Sequence, residues 1–120
     1  MNVKSAKEVA AESVSVEGAN GVRIQWLVGP SDAPENFCMR LFEVSKDGNT
    51  PKHSHDWEHE IFVHAGRGVV FNRGAWSPIE AGSYIFIPAG EAHWHGATSN
   101  TEFSHIFLQR KNSALTQIEV

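Results

Sequence analysis

Short runs of β-branched and aromatic residues, each ended by a Gly, Pro, Asn or Asp turn, recur along this chain and leave room for no long helix. Residues 22–28 (VRIQWLV) and 37–45 (FCMRLFEVS) have the alternating, branched character of half-buried strands, and residues 29–34 between them form a loop by their breakers. Residues 60–63, 69–72, 84–87 and 103–108 read as further short strands. The turn signals between them are Lys46-Asp47-Gly48-Asn49, Ala65-Gly66-Arg67-Gly68, Asn72-Arg73-Gly74, Glu80-Ala81-Gly82 and Pro88-Ala89-Gly90. Short strands at near-regular spacing predict an all-β sandwich or barrel. Only residues 6–13 look helical, as one short turn or an irregular arm, and the pattern lapses after Gln109.

A chain of 120 residues suits one such domain and is too short for two. Its formal charge of −4, with no Lys/Arg cluster, speaks against a nucleic-acid partner. The apolar runs are too short to span a bilayer as helices, and residues 1–9 lack the apolar stretch of a signal peptide. Cys38 is the one cysteine, so no intrachain disulfide forms; it reads as a small buried hydrophobe, and a cytoplasmic location is expected.

Histidine is where composition becomes specific. All seven lie between positions 53 and 105, and six of them have another within five residues. His53 and His55 alternate, so in an extended segment they share a face and make half of a metal site. His59 can join them if the next strand pairs back antiparallel, and His93 can approach from the far hairpin. His95 lies two residues after His93 and can line the same pocket or replace a ligand. His105 alternates with Phe103 and Phe107 and is either a pocket residue or a satisfied core histidine. His95, His105 and Glu91 are the candidates for proton transfer. His64 falls on the opposite face of its strand, at the surface or an interface. Trp57 and Trp94 adjoin the histidines and could wall a pocket, whereas Trp26 and Trp76 read as packing. Arg40 could meet an anionic substrate, but an outward salt bridge is the reading preferred.

Two spaced motifs in this sequence resemble those of the cupins. Gly82, five residues, Pro88-Ala89-Gly90, two residues and His93 match the second cupin motif, G-x5-P-x-G-x2-H-x3-N, except that Ala97 replaces its asparagine. His53-x-His55, three residues, His59, six residues and Gly66 match the first, G-x5-H-x-H-x3,4-E-x6-G, with His59 in the glutamate slot and Glu60 one residue on. Asp47 stands where that motif has its leading glycine, and Gly48 follows it. Fifteen residues separate Gly66 from Gly82, a short connection of the microbial kind. The segments Gly21-Val22-Arg23, Asp32-Ala33-Pro34, Met39-Arg40-Leu41-Phe42, 53–63 and Tyr84-Ile85-Phe86 are similar to a subgroup of small one-domain cupins, over about residues 21 to 108.

The resemblance implies a double-stranded β-helix (jelly-roll) barrel over residues 21–110, with an N-terminal arm at 1–20 and a C-terminal tail at 111–120. It implies one divalent metal ion held by His53, His55, His59 and His93, with manganese or iron favoured and zinc, nickel or copper possible. Four neutral imidazoles would leave that ion at +2, where a glutamate ligand would leave +1. A small-molecule substrate and a homodimer are the implied partners, with residues 1–20 a candidate for exchange between subunits. A metal-dependent oxidoreductase of the dioxygenase type is the leading expectation for activity. The alternatives are a metal-dependent isomerase or lyase and a non-catalytic module that binds or senses a small ligand.

Overall fold

The computed structural model describes residues 1–52, 54 and 58–97, with backbone alone at 72, 94 and 97, and the backbone of 103–110. The chain is all-β. Among the described residues its strands are β1 (Glu12–Ser13), β2 (Asn20–Val28), β3 (Phe37–Asn49), β4 (His59–Asn72), β5 (Ala75–Glu80), β6 (Tyr84–Ile87), β7 (His93–Ala97) and β8 (Phe103–Arg110). No helix among the described residues is long and apolar enough to cross a membrane.

All the pairings are antiparallel, and they close on themselves. β3 pairs with β8, β8 with β4, β4 with β7, and β7 returns to β3 at Asn49↔Gly96. β2 extends the sheet beyond β3, β1 flanks β2, and β5 and β6 pair with β4. Alternation along the strands sends one set of side chains into the barrel. Val22, Ile24, Phe42, Val44, Ile61, Val63, Ile79 and Ile87 are buried there as one cluster.

The sequence suggested two strands at 60–63 and 69–72 with a turn between, but β4 runs unbroken through both. Gly66 has φ +81°, and the β4–β8 register slips between Val63 and Ala65. This is a bulge, which bends a strand without ending it. β5 and β7 were not legible as strands. β5 carries Pro78, which is tolerated because β5 pairs on one side only, with β4. β7 (HWHGA) has no apolar alternation to announce it.

The helical look of residues 6–13 shrinks to a 3-10 turn at Ala6–Glu8, capped by Ser5, and the chain then extends into β1. Within this chain the segment lies on its own sheet. Gln25 Nε2 donates to the carbonyls of Ala6 (2.8 Å) and Val9 (2.7 Å), and Val14 joins the core. The tail at 111–120 lies outside the described residues.

The irregular start of the first motif has a local cause. Asp47 sits at φ +62°, the left-handed conformation that a glycine adopts without strain and that Asp tolerates better than most residues. Gly48 is needed for closeness instead: a Cβ there would lie 2.6 Å from the Asn20 carbonyl oxygen and 2.8 Å from that of Ser45. Gly48→Ala should therefore lower unfolding stability by about 1–3 kcal/mol, as overpacking against backbone does. Asp47→Gly should be neutral or slightly stabilising. Denaturant midpoints of the two variants check the pair.

Candidate metal centre

His59 opens β4, and the alternation that buries Ile61 and Val63 buries it too. Glu60, Phe62 and His64 take the other face: Phe62 and His64 are exposed and Glu60 is half-buried. Partial burial, followed by the neighbouring charge of Glu58 and a hydrogen bond with it, raises the Glu60 carboxyl above its ordinary range. Glu60 is thus engaged with Glu58, on the face away from the barrel interior.

His93 opens β7 directly after the turn at residues 88–92, where Gly90 has φ +83°. Its Nδ1 lies 2.8 Å from the carbonyl oxygen of Glu91. A carbonyl only accepts, so Nδ1 carries the proton, and in the neutral ring Nε2 keeps the lone pair a metal needs. His93 is buried, and its ring meets that of His59 edge to face, with centroids 5.5 Å apart at 86°. Two imidazoles sharing one ion at about 2.1 Å from each nitrogen have centroids roughly 4.5–6 Å apart. The described pair therefore fits a shared divalent ion in spacing and in donor type.

His95 occupies the same inward face, fully buried, with its ring centroid 5.9 Å from that of His93. His53 and His55, with Asp56 and Trp57, lie outside the described residues. Among the described residues alone, no three His, Cys, Asp or Glu side chains form a metal cage. His105 stands in register between Phe42 of β3 and Val63 of β4, both inward and buried; only its backbone is described, as is that of Trp94. Cys38 is buried, as its sequence context suggested.

The outward reading of Arg40 is corrected. Arg40 is fully buried, on the inner face of β3 with Cys38, Phe42 and Val44, and its Cζ lies 5.2 Å from the ring centroids of both Trp26 and Phe42. An outward ion pair among the described residues of this sheet is Arg23–Glu43, at 2.6 Å between exposed side chains. The signal was present in the spacing, because Cys38, Arg40, Phe42 and Val44 are all even positions of one strand. Arg40, Phe107 and Ile61 form one cross-strand row, and Ile61 is the inward neighbour of His59 on β4. A cleft of about 480 Å³ reaches His93 between β4, β5 and β6, with Val70, Ile79, Ile85, Ile87 and Glu91 in its walls. Sequence reasoning also missed Thr50, which is buried and bonded to the backbone of His95.

Residues 40–108 match the family model described as Cupin domain. Among solved structures, the polyketide cyclase RemF from Streptomyces resistomycificus superposes with a TM-score of 0.88 at 31% identity, over 92% of this chain and 79% of that one. A "predicted oxalate decarboxylase" from Thermotoga maritima superposes with a TM-score of 0.80 at 25% identity, over 91% of this chain and 98% of that one. An (R)-mandelonitrile lyase from Granulicella tundricola is 33% identical over 63 residues, 52% of this chain. The chain spans about half the length of that curated relative, 48%.

Proposed function

The chain belongs to the cupin domain family, and on that premise we propose that it is a metal-dependent enzyme of the lyase or cyclase kind, acting on a small anionic molecule with an apolar body. The observation that carries this reading is the buried, edge-to-face pair His59 and His93, whose spacing suits a shared ion. His53 and His55 would complete the ligand set. A divalent ion held by four neutral imidazoles would supply Lewis-acid polarisation of a substrate oxygen at a formal charge of +2.

The protein's own groups supply the rest. The Glu91 carbonyl fixes the tautomer and direction of His93. The aliphatic walls of the cleft, Ile79, Ile85, Ile87 and Val70, favour an apolar ring or chain and exclude water from it. Arg40 stands two strands from Ile61 in the same row, about 10 Å along the sheet. Its guanidinium would receive a carboxylate, phenolate or enolate oxygen in a site of low dielectric. His95, buried beside His93, and His105 are the proposed groups for proton exchange with the substrate.

An imidazole-rich donor set alone suggests oxygen chemistry. Likeness over most of both chains to a polyketide cyclase, and over part of the chain to an (R)-mandelonitrile lyase, supports bond making or breaking without net oxidation instead. A second copy of this chain is the proposed partner. Phe62 and Tyr84 face each other on the outer side of β4 and β6, 48% and 85% exposed, with Phe86 (59%) beside them. At about 200 Å² per bare ring side chain, these three offer roughly 400 Å² of apolar surface, about half of one partner's share of a standard interface.

Protein purified without added metal should carry about one divalent ion per chain. His59→Ala should lose most of it and Glu60→Ala should retain it, as measured by elemental analysis; the opposite ranking would put the ligand at Glu60. With β-polyketone carboxylate or carboxylated cyanohydrin substrates, product should accumulate without dioxygen consumption. Uptake of one dioxygen per product would restore the oxygenase reading, and tight binding without turnover would make the protein a ligand sensor. In the same assay Arg40→Met should weaken anionic inhibitors about 10–100-fold, the range for a lost charge-assisted hydrogen bond, at unchanged metal content. Sedimentation should give a dimer that Phe62→Glu dissociates; a monomeric wild type would refute the pairing.

A further inference from the structure

We infer that Thr50 is a positioning residue that locks the two ligand-bearing segments of the metal centre to each other through its hydroxyl group; this rests on the four-histidine reading above. The barrel closes where β7 meets β3, and the register there contains one described pair, Asn49↔Gly96. β3 ends at Asn49, yet the ladder continues one residue further. The Thr50 N–H donates to the His95 carbonyl at 2.8 Å. The return bond, which a strand would make with its own carbonyl, is made by a side chain: the His95 N–H donates to Thr50 Oγ1 at 2.9 Å. The hydroxyl in turn points at the His95 carbonyl, at 3.4 Å.

The substitution of hydroxyl for carbonyl has a reason in the sequence. Residue 51 is proline, which has no N–H to extend a ladder and turns the chain away from β7. The Thr50 carbonyl is used elsewhere, accepting from Asn49 Nδ2 at 3.1 Å. Thr50 is buried, so the His95 N–H has this hydroxyl in place of water.

The position explains what the bond governs. Thr50 lies three residues before His53, and His95 lies two residues after His93. Three residues of chain reach at most about 10 Å. The seam therefore holds the segment that leads to His53 and His55 against the strand that carries His93, at short chain distance from both. A metal ion demands donor positions within a few tenths of an ångström, and outer-shell groups that orient ligands change affinity by about 10–100-fold when removed. Threonine meets both needs of the seam, since its methyl group fills the buried space and its hydroxyl completes the ladder.

The test is zinc affinity, measured by competition with a chromogenic chelator, for wild type, Thr50→Val, Thr50→Ser and His59→Ala. Thr50→Val keeps the shape and loses the hydroxyl, and should bind zinc about 10–100-fold more weakly; Thr50→Ser should stay within about threefold of wild type. If Thr50→Val binds as wild type does while His59→Ala fails, the inference is wrong and the four-histidine reading stands. If His59→Ala binds as well as wild type, the reading itself fails and this inference with it. Amide exchange in the wild type gives an answer even if Thr50→Val does not fold. Zinc should slow exchange at Thr50 and His95 more than at Ile24 in β2, and equal slowing would overturn the inference.

Discussion

Because Gly66 takes φ +81° in the middle of β4, that strand bends without losing its ladder. Before the bend it pairs with β6 and β8, and after it with β5 and β7. No other strand in the described residues has so many partners, and the barrel closes only because this one serves both of its walls. The bend also sets the address of the candidate centre. Counting back by alternation from buried Val63, just before the register slip, Ile61 and His59 face inward, so the residue at the start of β4 is committed to the interior by apolar neighbours that have no choice of face.

That commitment decides the electrostatics. The buried polar and charged residues among those described are Arg40, Thr50, His59, His93 and His95. Histidine can enter such a place neutral, whereas a guanidinium cannot shed its charge, and stays in the interior only with strong compensation. Trp26 and Phe42 provide part of it through the faces of their rings. Arg40 therefore brings a permanent charge to the inner face of β3, in the same cross-strand row as Ile61. The cleft beside His93 combines the aliphatic side chains of Ile79, Ile85 and Ile87 with the polar ones of Ser77, Ser83 and Glu91.

How much of this was legible in the sequence depended on whether a residue's role is local. The all-β class, the inward direction of His59, the shared face of His93 and His95 and the burial of Cys38 all follow from alternation and turn chemistry. They could be read without a structure. β7 could not, because its strand character comes from pairing with β4 and β3 and not from its own residues. Gly66 read as a turn because its neighbours Ala65 and Gly68 supply no apolar pattern, and only the pairing of β8 across it shows a bulge. Arg40 was misplaced by the general preference of arginine for solvent, although Phe42 and Val44 had already fixed its face. Thr50 carried no signal, since its function lies in a bond to a residue 45 positions away.

The contrast between His59 and Glu60 shows how one residue of register sets the chemistry of a site. Had the acid stood at 59, a carboxylate would face the candidate centre and lower its net charge. It stands at 60, where the pleat turns it away from the interior and brings it to Glu58. Burial, and then the charge of Glu58 and a hydrogen bond with it, hold the Glu60 carboxyl above its usual range there. To recruit Glu60 the strand would have to slip by one residue, which would expose Ile61 and Val63 and bring Phe62 and His64 inside. With Phe62 replacing one of the two aliphatic side chains, the slip still removes one apolar side chain from the core, at a cost of about 1.5–3 kcal/mol. The apolar core of β4 therefore keeps His59 on the inner face of the strand and Glu60 on the outer one.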